Sequence, residues 1–309
     1  MAINNIKKIG VDMGNSTICV SALVNEAVKQ AYASSVYSLD TAIVTGDVVE
    51  SKGVKLALGV GQTTLTNVDK TNRELIEHQL LWAVNSAFGA GTHYINLGIG
   101  LPISIYKAKK EDYTNAIKSL GTITGKINDK DISVNLANVK VMAEGHASIK
   151  PLANYINKDN TTLLIDIGMK TTDVLLVRYD GKFIIDKYAT IPIALYDIYQ
   201  VLREAIAQQG VEVSIEYIDK RFQSASPVVR TEKGDYNLAD HLADAKHVCN
   251  DIMKAIENEF GKTILHDKLF TGGGAEKFLA AIGDMPNNIE IPQELRYYSN
   301  SLGYLLGLK

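Results

Sequence analysis

Two stretches of this chain say nearly the same thing half a chain apart. Residues 9–20 read IGVDMGNSTICV, and residues 163–177 read LLIDIGMKTTDVLLV. Each is an apolar strand ending in Asp, any residue, Gly, a few polar residues, then a second apolar strand. Asp166 follows Asp12 by 154 residues (166 − 12) in a chain of 309. Each stretch opens a three-strand run, and each run leads into helix–strand alternation. That predicts a repeat of a whole α/β domain, not a solenoid. One hairpin resembling another is common; the shared order of strand, Asp, x, Gly, polar residues and strand carries the duplication.

The first run is KKIGVD, STICVSALV and AYASSVYSL, turning at Gly14. Residues 41–68 read as a small inserted piece. TNRELIEHQLLWAVNSAFGA predicts a helix with an apolar stripe of Leu75, Ile76, Leu80, Trp82 and Val84 and a stop at Gly89. HYINLGIGLP reads as a buried parallel strand. EDYTNAIKSLG predicts a short helix, ISVNLANVKVMAEG a strand, and GHASIKPLANYI a second helix. The second run is LLIDIG, TTDVLLVRY and KFIIDKYATI, with Asp180–Gly181 as a turn. ALYDIYQVLREAIAQQG then predicts a helix ending at Gly210. Residues 211–240 read as another insertion and 241–261 as one long helix. DKLFTGGGAEKFLAAIG reads as strand, glycine turn and helix, and PQELRYYSNSLGYLLGLK as a last helix.

Composition narrows the function classes. A 46% hydrophobic content supports a sizeable core, and the length suggests about two domains. The net charge of −3 offers no basic surface for nucleic acid. Cys19 and Cys249 form no CxxC pair, which predicts a reducing compartment. The segment MAINNIKKIGVDMG is interrupted by Asp12 too soon for a signal peptide, and no apolar run reaches the roughly 18 residues needed to span a bilayer. A cytoplasmic protein without a membrane anchor is the expectation. His241 and His247 lie six residues apart, the wrong spacing for two ligands on one helix face, and read as solvated. There is no GxSxG elbow, no GxxxxGK[ST] loop and no GxGxxG after a strand.

The paired turns carry the chemistry. A glycine turn brings backbone N–H groups close to an anion, and Asn15, Ser16, Thr17, Thr171 and Thr172 add side-chain donors. Aspartates beside phosphates need a cation between them. Mg²⁺ fits, since it keeps several waters and takes one or two carboxylates plus phosphate oxygens. Asp166 is placed where its strand should be buried, and an unpaired buried carboxylate costs several kcal/mol. Either aspartate alone is as readily a turn cap; the pair points to phosphate and Mg²⁺. The glycines Gly272, Gly273 and Gly274 in FTGGGAEKF let backbone lie flat against a ligand at a helix N-terminus. On its own that run is also what a flexible strand–helix turn looks like.

The order of these elements resembles the superfamily of actin, the 70-kDa heat-shock chaperones and the sugar kinases. The hairpin at Asp12, VMAEGHASI at 141–149, the hairpin at Asp166, FTGGGAEKF, and SNSLGYLL correspond to phosphate 1, connect 1, phosphate 2, adenosine and connect 2. The compact length and GLPISIYK at 100–107 are similar to plasmid-segregation actin-like proteins of the ParM type. The resemblance implies an α/β protein of two ribonuclease-H-like lobes, the actin-like ATPase fold, with ATP and Mg²⁺ in the cleft between. Lobe I would hold residues 1–150 and 293–309, with an insertion at about 35–68. Lobe II would hold 151–292, with an insertion at about 190–262. Gly14, Asn15, Ser16 and Thr17 would grip the phosphates from one lobe, and Gly168, Lys170, Thr171 and Thr172 from the other. Asp12 and Asp166 would position Mg²⁺ through its waters. Glu144 falls at the connect 1 position, where the resemblance implies a polar group that orients the attacking water. Read without the resemblance, it is a helix first-turn acid favoured by the helix dipole.

One departure stands out. The family's phosphate 1 hairpin often ends in a lysine that reaches the phosphates, and Cys19 occupies that place here. Lys170 in the opposite turn either supplies the missing charge or is an ordinary exposed turn lysine. The function implied is a nucleotide-dependent, filament-forming ATPase that segregates a plasmid, with ADP left after hydrolysis and GTP a possible substitute. Its partners would be further copies of itself and a DNA-binding adaptor at the filament end, with no direct contact to nucleic acid or membrane. The alternatives are a small-molecule kinase of the same superfamily and another bacterial or archaeal cytoskeletal actin. A chaperone would want a peptide-binding domain after connect 2, where this sequence runs out at Lys309.

Overall fold

The computed structural model describes residues 6–14, 16–41, 46–60, 63–64, 75–224 and 226–308. The chain divides into two compact units, Met1–Ala153 with Tyr297–Lys309, and Asn154–Arg296.

The first unit opens with β1 (Ile6–Met13), β2 (Thr17–Val24) and β3 (Ala27–Ser34), an antiparallel meander. β4 (Val36–Ser38), β5 (Asp47–Ser51), β6 (Val54–Leu58) and β7 (Thr63–Thr64) follow, then α1 (Ile76–Phe88) and β8 (Gly91–Leu101). α2 (Ile103–Ser119), β9 (Thr122–Ile127), β10 (Lys130–Ala143) and α3 (Ile149–Leu152) complete it up to the second unit. Among the described residues the strands form one sheet in the order β3-β2-β1-β8-β10-β9-β5-β6-β4-β7. β1, β8 and β10 run parallel.

The second unit repeats the opening. β11 (Thr162–Ile167), β12 (Thr172–Tyr179) and β13 (Phe183–Ile191) form an antiparallel meander. α4 (Leu195–Ala207), α5 (Ile215–Gln223), the hairpin β14 (Val228–Thr231) and β15 (Gly234–Asn237), α6 (Lys246–Phe260), β16 (Asp267–Thr271) and α7 (Ala275–Ile282) follow. α8 (Gln293–Gly307) begins in this unit and ends in the first. The sheet order is β13-β12-β11-β16, with β16 parallel to β11. That is the β3-β2-β1-β8 order of the first unit. A fifth strand is reduced to one parallel bridge between Lys268 and Asn288. Both units are thus ribonuclease-H-like, and the duplication read from Asp12 and Asp166 is a duplication of folds.

Period-two alternation sets the packing. Ile9, Val11 and Met13 face a core with Leu80, Leu81 and Val84 of α1. The opposite face of β1 and β8 carries Gly10, Gly98 and Gly100. A Cβ on Gly10 would lie 2.0 Å from the Ser301 carbonyl oxygen, and one on Gly100 would lie 1.8 Å from the Tyr304 hydroxyl. α8 therefore lies against the sheet on a glycine stripe. In the second unit Leu163, Ile165 and Ile167 pack with Ile198 and Leu202 of α4, Ile252 of α6 and Phe278 of α7.

Several sequence expectations need correction. The third strand starts at Ala27, not Ala31, because Asn25 and Glu26 take positive φ (48° and 66°) and make a two-residue hairpin turn without the usual glycine. The helix expected over 145–156 shrinks to Ile149–Leu152. Gly145 has φ of 70°, which no right-handed helix accommodates. The helix expected at 111–121 is longer, starting at Ile103 directly after Pro102. The single helix expected over 241–261 is a 3₁₀ segment, Leu238–Ala245, followed by α6. The expectations at residues 42–45 and 65–74 lie outside the described residues. Among the described residues no helix is long and apolar enough to cross a membrane.

Candidate functional site

The two turns are built alike. In the first unit the Gly14 N–H donates to the Thr17 carbonyl at 2.8 Å, and Asp12 pairs with Cys19 across the hairpin. Ser35, fully buried, fixes the turn from behind. Its hydroxyl donates to the Gly14 carbonyl at 3.1 Å and its N–H to the Ser16 carbonyl at 2.7 Å. Asp12, Ser16 and Thr17 are half-buried. Asn15 lies outside the described residues.

In the second unit the Gly168 N–H donates to the Thr171 carbonyl at 3.0 Å, the same closure four residues wide. The turn leans on the start of α4: Leu195 N–H donates to the Gly168 carbonyl and Tyr196 N–H to the Met169 carbonyl. Lys170 is exposed and Thr171 half-buried. Thr172 departs from the expectation of a surface donor. It is fully buried and its hydroxyl donates to the Ile193 carbonyl at 2.8 Å, so it holds the approach to α4. Asp166 is half-buried, not enclosed as its strand position suggested, because it sits in the last rungs before the turn.

Asp166 faces Asp173 across β11–β12 and Thr271 across β11–β16. Directly opposed residues share a sheet face with Cβ atoms about 5 Å apart, so two carboxylates stand side by side. Asp173 also accepts the Thr190 hydroxyl at 2.5 Å. Sequence reasoning passed over Asp173. The signal was present: two acids seven residues apart, flanking a four-residue turn, must face one another once that turn closes.

The glycine run lies against the same hairpin. A Cβ on Gly272 would sit 2.2 Å from Asp166 Oδ1, and Gly272 has φ of 89°. Its N–H donates to the Arg296 carbonyl, and the Gly274 N–H donates to the Ile167 carbonyl, each at 2.9 Å. These two amides hold the turn. Gly273 alone of the three faces open space, with no atom within 4 Å of its Cβ position. It stands just before the N-terminus of α7, which favours negative charge. Behind α7, Asp219 of α5 accepts the Tyr199 hydroxyl at 3.2 Å and the Gln223 amide at 2.9 Å. Burial pushes its carboxyl up to about 6.

Glu144 sits in the turn after β10, its side chain buried. It is not in the first turn of a helix, which begins only at Ile149. The next peptide is anchored by the buried Asn300, whose Oδ1 accepts the Gly145 N–H at 2.9 Å.

The donor set fits a magnesium nucleotide. In the first unit a carboxylate, Asp12, stands at a strand end beside the hydroxyls of Ser16 and Thr17; in the second, Asp166 and Asp173 stand beside Thr171, and the backbone at Gly273 is open to close approach. Among the described residues no three His, Cys, Asp or Glu side chains gather as a metal cage. Magnesium with nucleotides takes only one or two carboxylates, so this donor set suits it better than it suits zinc.

Two family descriptions match the chain. "Actin like proteins N terminal domain" matches residues 10–146, and "Archaeal actin homologue MreB-like, C-terminal" matches 164–282. No curated protein matches in sequence. A 15-stranded ParM filament from Clostridium botulinum shares the fold with a TM-score of 0.77 at 17% identity, over 98% of this chain and 99% of that one. An archaeal actin homologue in complex with ADP gives 0.75 at 18%, over the same shares. The AlfA filament from B. subtilis plasmid pLS32 gives 0.63 at 17%, again over 98% and 99%.

Proposed function

Because the chain belongs to the actin-like ATPase superfamily, we propose that it binds and hydrolyses ATP with Mg²⁺ and assembles into filaments governed by that hydrolysis. The observation that carries this reading is the repeated turn: the same Gly-to-Thr closure, four residues wide, beside an aspartate in each ribonuclease-H-like unit.

The side chains of Asn15, Ser16, Thr17 and Thr171 would hold phosphate oxygens, with the Gly14 and Gly168 amides closing the turns, and Lys170 would bring the positive charge that Cys19 does not. Asp12 and Asp166 would hold a divalent cation through its waters, and Asp173 would add negative charge beside Asp166. Glu144, held in place by its neighbour's bond to Asn300, orients the attacking water. Gly273 lets the backbone approach the nucleoside. The bound magnesium nucleotide supplies the reactive phosphoanhydride; these residues supply position and charge.

The further reading is plasmid segregation in the cytoplasm, through a DNA-binding adaptor at the filament end. ParM filaments among the structures of like fold support it. The archaeal actin homologue and the MreB-like description support the alternative of another cytoskeletal actin. Light scattering with parallel phosphate release, over a protein concentration series in Mg-ATP, tests the main reading. Scattering that rises only above a critical concentration and decays as phosphate accumulates is expected. Hydrolysis with no scattering or pelleting at any concentration overturns the filament and turns the search to small-molecule phosphate acceptors.

A further inference from the structure

β3 is an edge strand of eight residues, AVKQAYAS. Edges of this length are a template for another strand, and natural proteins guard them with charge, proline or a bulge. Here the strand has neither proline nor bulge. Its one charged residue, Lys29, turns its amine back to the Ala87 carbonyl at the end of α1 (3.2 Å). The pairing with β2 runs without a bulge from Thr17↔Ser34 to Val24↔Ala27. Among the described residues nothing pairs with the outer edge.

The backbone direction follows from the turn. Asn25 and Glu26, both at positive φ, form a two-residue hairpin, whose flanking pair Val24↔Ala27 is the hydrogen-bonded kind. Odd-numbered residues of β3 therefore bond to β2. Val28, Gln30 and Tyr32 send their N–H and C=O groups outward. Their side chains share one sheet face, where Val28 and Tyr32 are each 49% exposed beside Leu23 at 43%. Leu23 pairs directly with Val28.

We propose that two copies of this chain associate edge to edge through β3, antiparallel and two-fold symmetric about Gln30. The strand is self-complementary in this register. Val28 faces Tyr32 of the second copy, an aromatic against a β-branched side chain, which stabilises antiparallel pairs. Gln30 faces its own copy and can exchange amide hydrogen bonds with it. Lys29 faces Ala31 and Ala27 faces Ala33, so no like charges are opposed. Shifting the centre to residue 29 would place lysine opposite lysine. The interface is isologous, as closed dimers require. It needs no nucleotide, so it is separate from the filament reading.

The test uses the full chain without nucleotide, by sedimentation and by oxidation. Wild type is expected to dimerise with rising concentration. Gln30→Lys and Gln30→Glu each place like charges in opposition and should weaken the dimer by about tenfold or more. An equimolar mixture of the two variants should restore it. Gln30→Cys should form an intermolecular disulfide, since a hydrogen-bonded pair sets Cα atoms about 5.5 Å apart, while Lys182→Cys should not. Both native cysteines are buried and will not interfere. Unchanged melting of the Gln30 variants checks the fold. A wild type that stays monomeric, single-charge variants that dimerise as well as wild type, or a mixture that fails to rescue would each overturn the proposal. None of these results depends on whether Mg-ATP induces scattering.

Discussion

Asp166 and Asp173 face each other on adjacent strands of the second unit, and the equivalent positions in the first unit are Asp12 and Cys19. Like charges directly opposed across a sheet destabilise it, and a divalent cation would relieve the repulsion. Mg²⁺ alone should stabilise the wild type and have a smaller effect on the Asp173→Asn variant. Thermal melts with and without Mg²⁺ decide it. An equal Mg²⁺ response in both proteins would mean that Asp173 does not share in the cation site.

Lys170 is the one candidate cation in the second turn and is exposed. A charge-assisted bond from it to a phosphate should be lost in Lys170→Ala, weakening ATP affinity by about tenfold. Lys170→Arg should retain most of it. Titration with a fluorescent ATP analogue measures both. Unchanged affinity in the alanine variant makes Lys170 an ordinary turn residue.

Glu144 is expected to act on turnover and not on binding. Glu144→Gln should slow phosphate release by roughly a hundredfold or more with little change in nucleotide affinity. If the filament reading holds, its scattering should also persist longer after ATP addition. Equal losses in affinity and turnover would show instead that the side chain supports the fold of the turn.

The fold was legible because the strongest signals in this chain are local and repeated. The strand–Asp–x–Gly–strand pattern predicted both meanders, and FTGGGAEKF predicted β16 and α7. What misled were backbone conformations that composition does not advertise. Asn25–Glu26 makes a tight turn without glycine, and the positive φ of Gly145 cuts a pattern that otherwise reads as helix. Site residues were legible as types but not by what their atoms already do. Thr172 reads as a donor beside Thr171, yet its hydroxyl is engaged with Ile193. Asp173 needed the register of the hairpin, which no single strand shows.

His93 gives the first unit a pH dependence. The Lys7 amine donates to Nδ1 at 3.0 Å, so Nε2 carries the proton and donates to the Gly89 carbonyl at 2.9 Å. Burial is the main cause holding its pKa below 6.5; Lys7 lowers it further, and the Gly89 bond opposes them. The unfolded chain then binds the proton more readily than the folded one. Stability should be unaffected by this group above pH 6.5 and should fall as pH drops from 6.5 towards the folded value. His93→Gln can keep both hydrogen bonds without titrating, so it should flatten the slope of melting temperature between about pH 7 and pH 5. A slope identical to wild type would place the acid sensitivity elsewhere.

The three glycines of the turn between β16 and α7 should separate into scaffold and contact. A Cβ on Gly274 would lie 2.7 Å from Ile167 Cγ2, so Gly274→Ala should destabilise the second unit by about 1–3 kcal/mol. Gly272→Ala should cost at least as much, since it meets Asp166 at 2.2 Å and demands φ of 89°. Gly273→Ala meets no atom within 4 Å and should melt like wild type. If the nucleoside lies against this turn, the same methyl should weaken ATP binding while leaving the fold intact. Denaturant unfolding and nucleotide titration on all three variants separate the two roles. A Gly273→Ala protein that binds ATP as wild type does would move the nucleoside away from this turn.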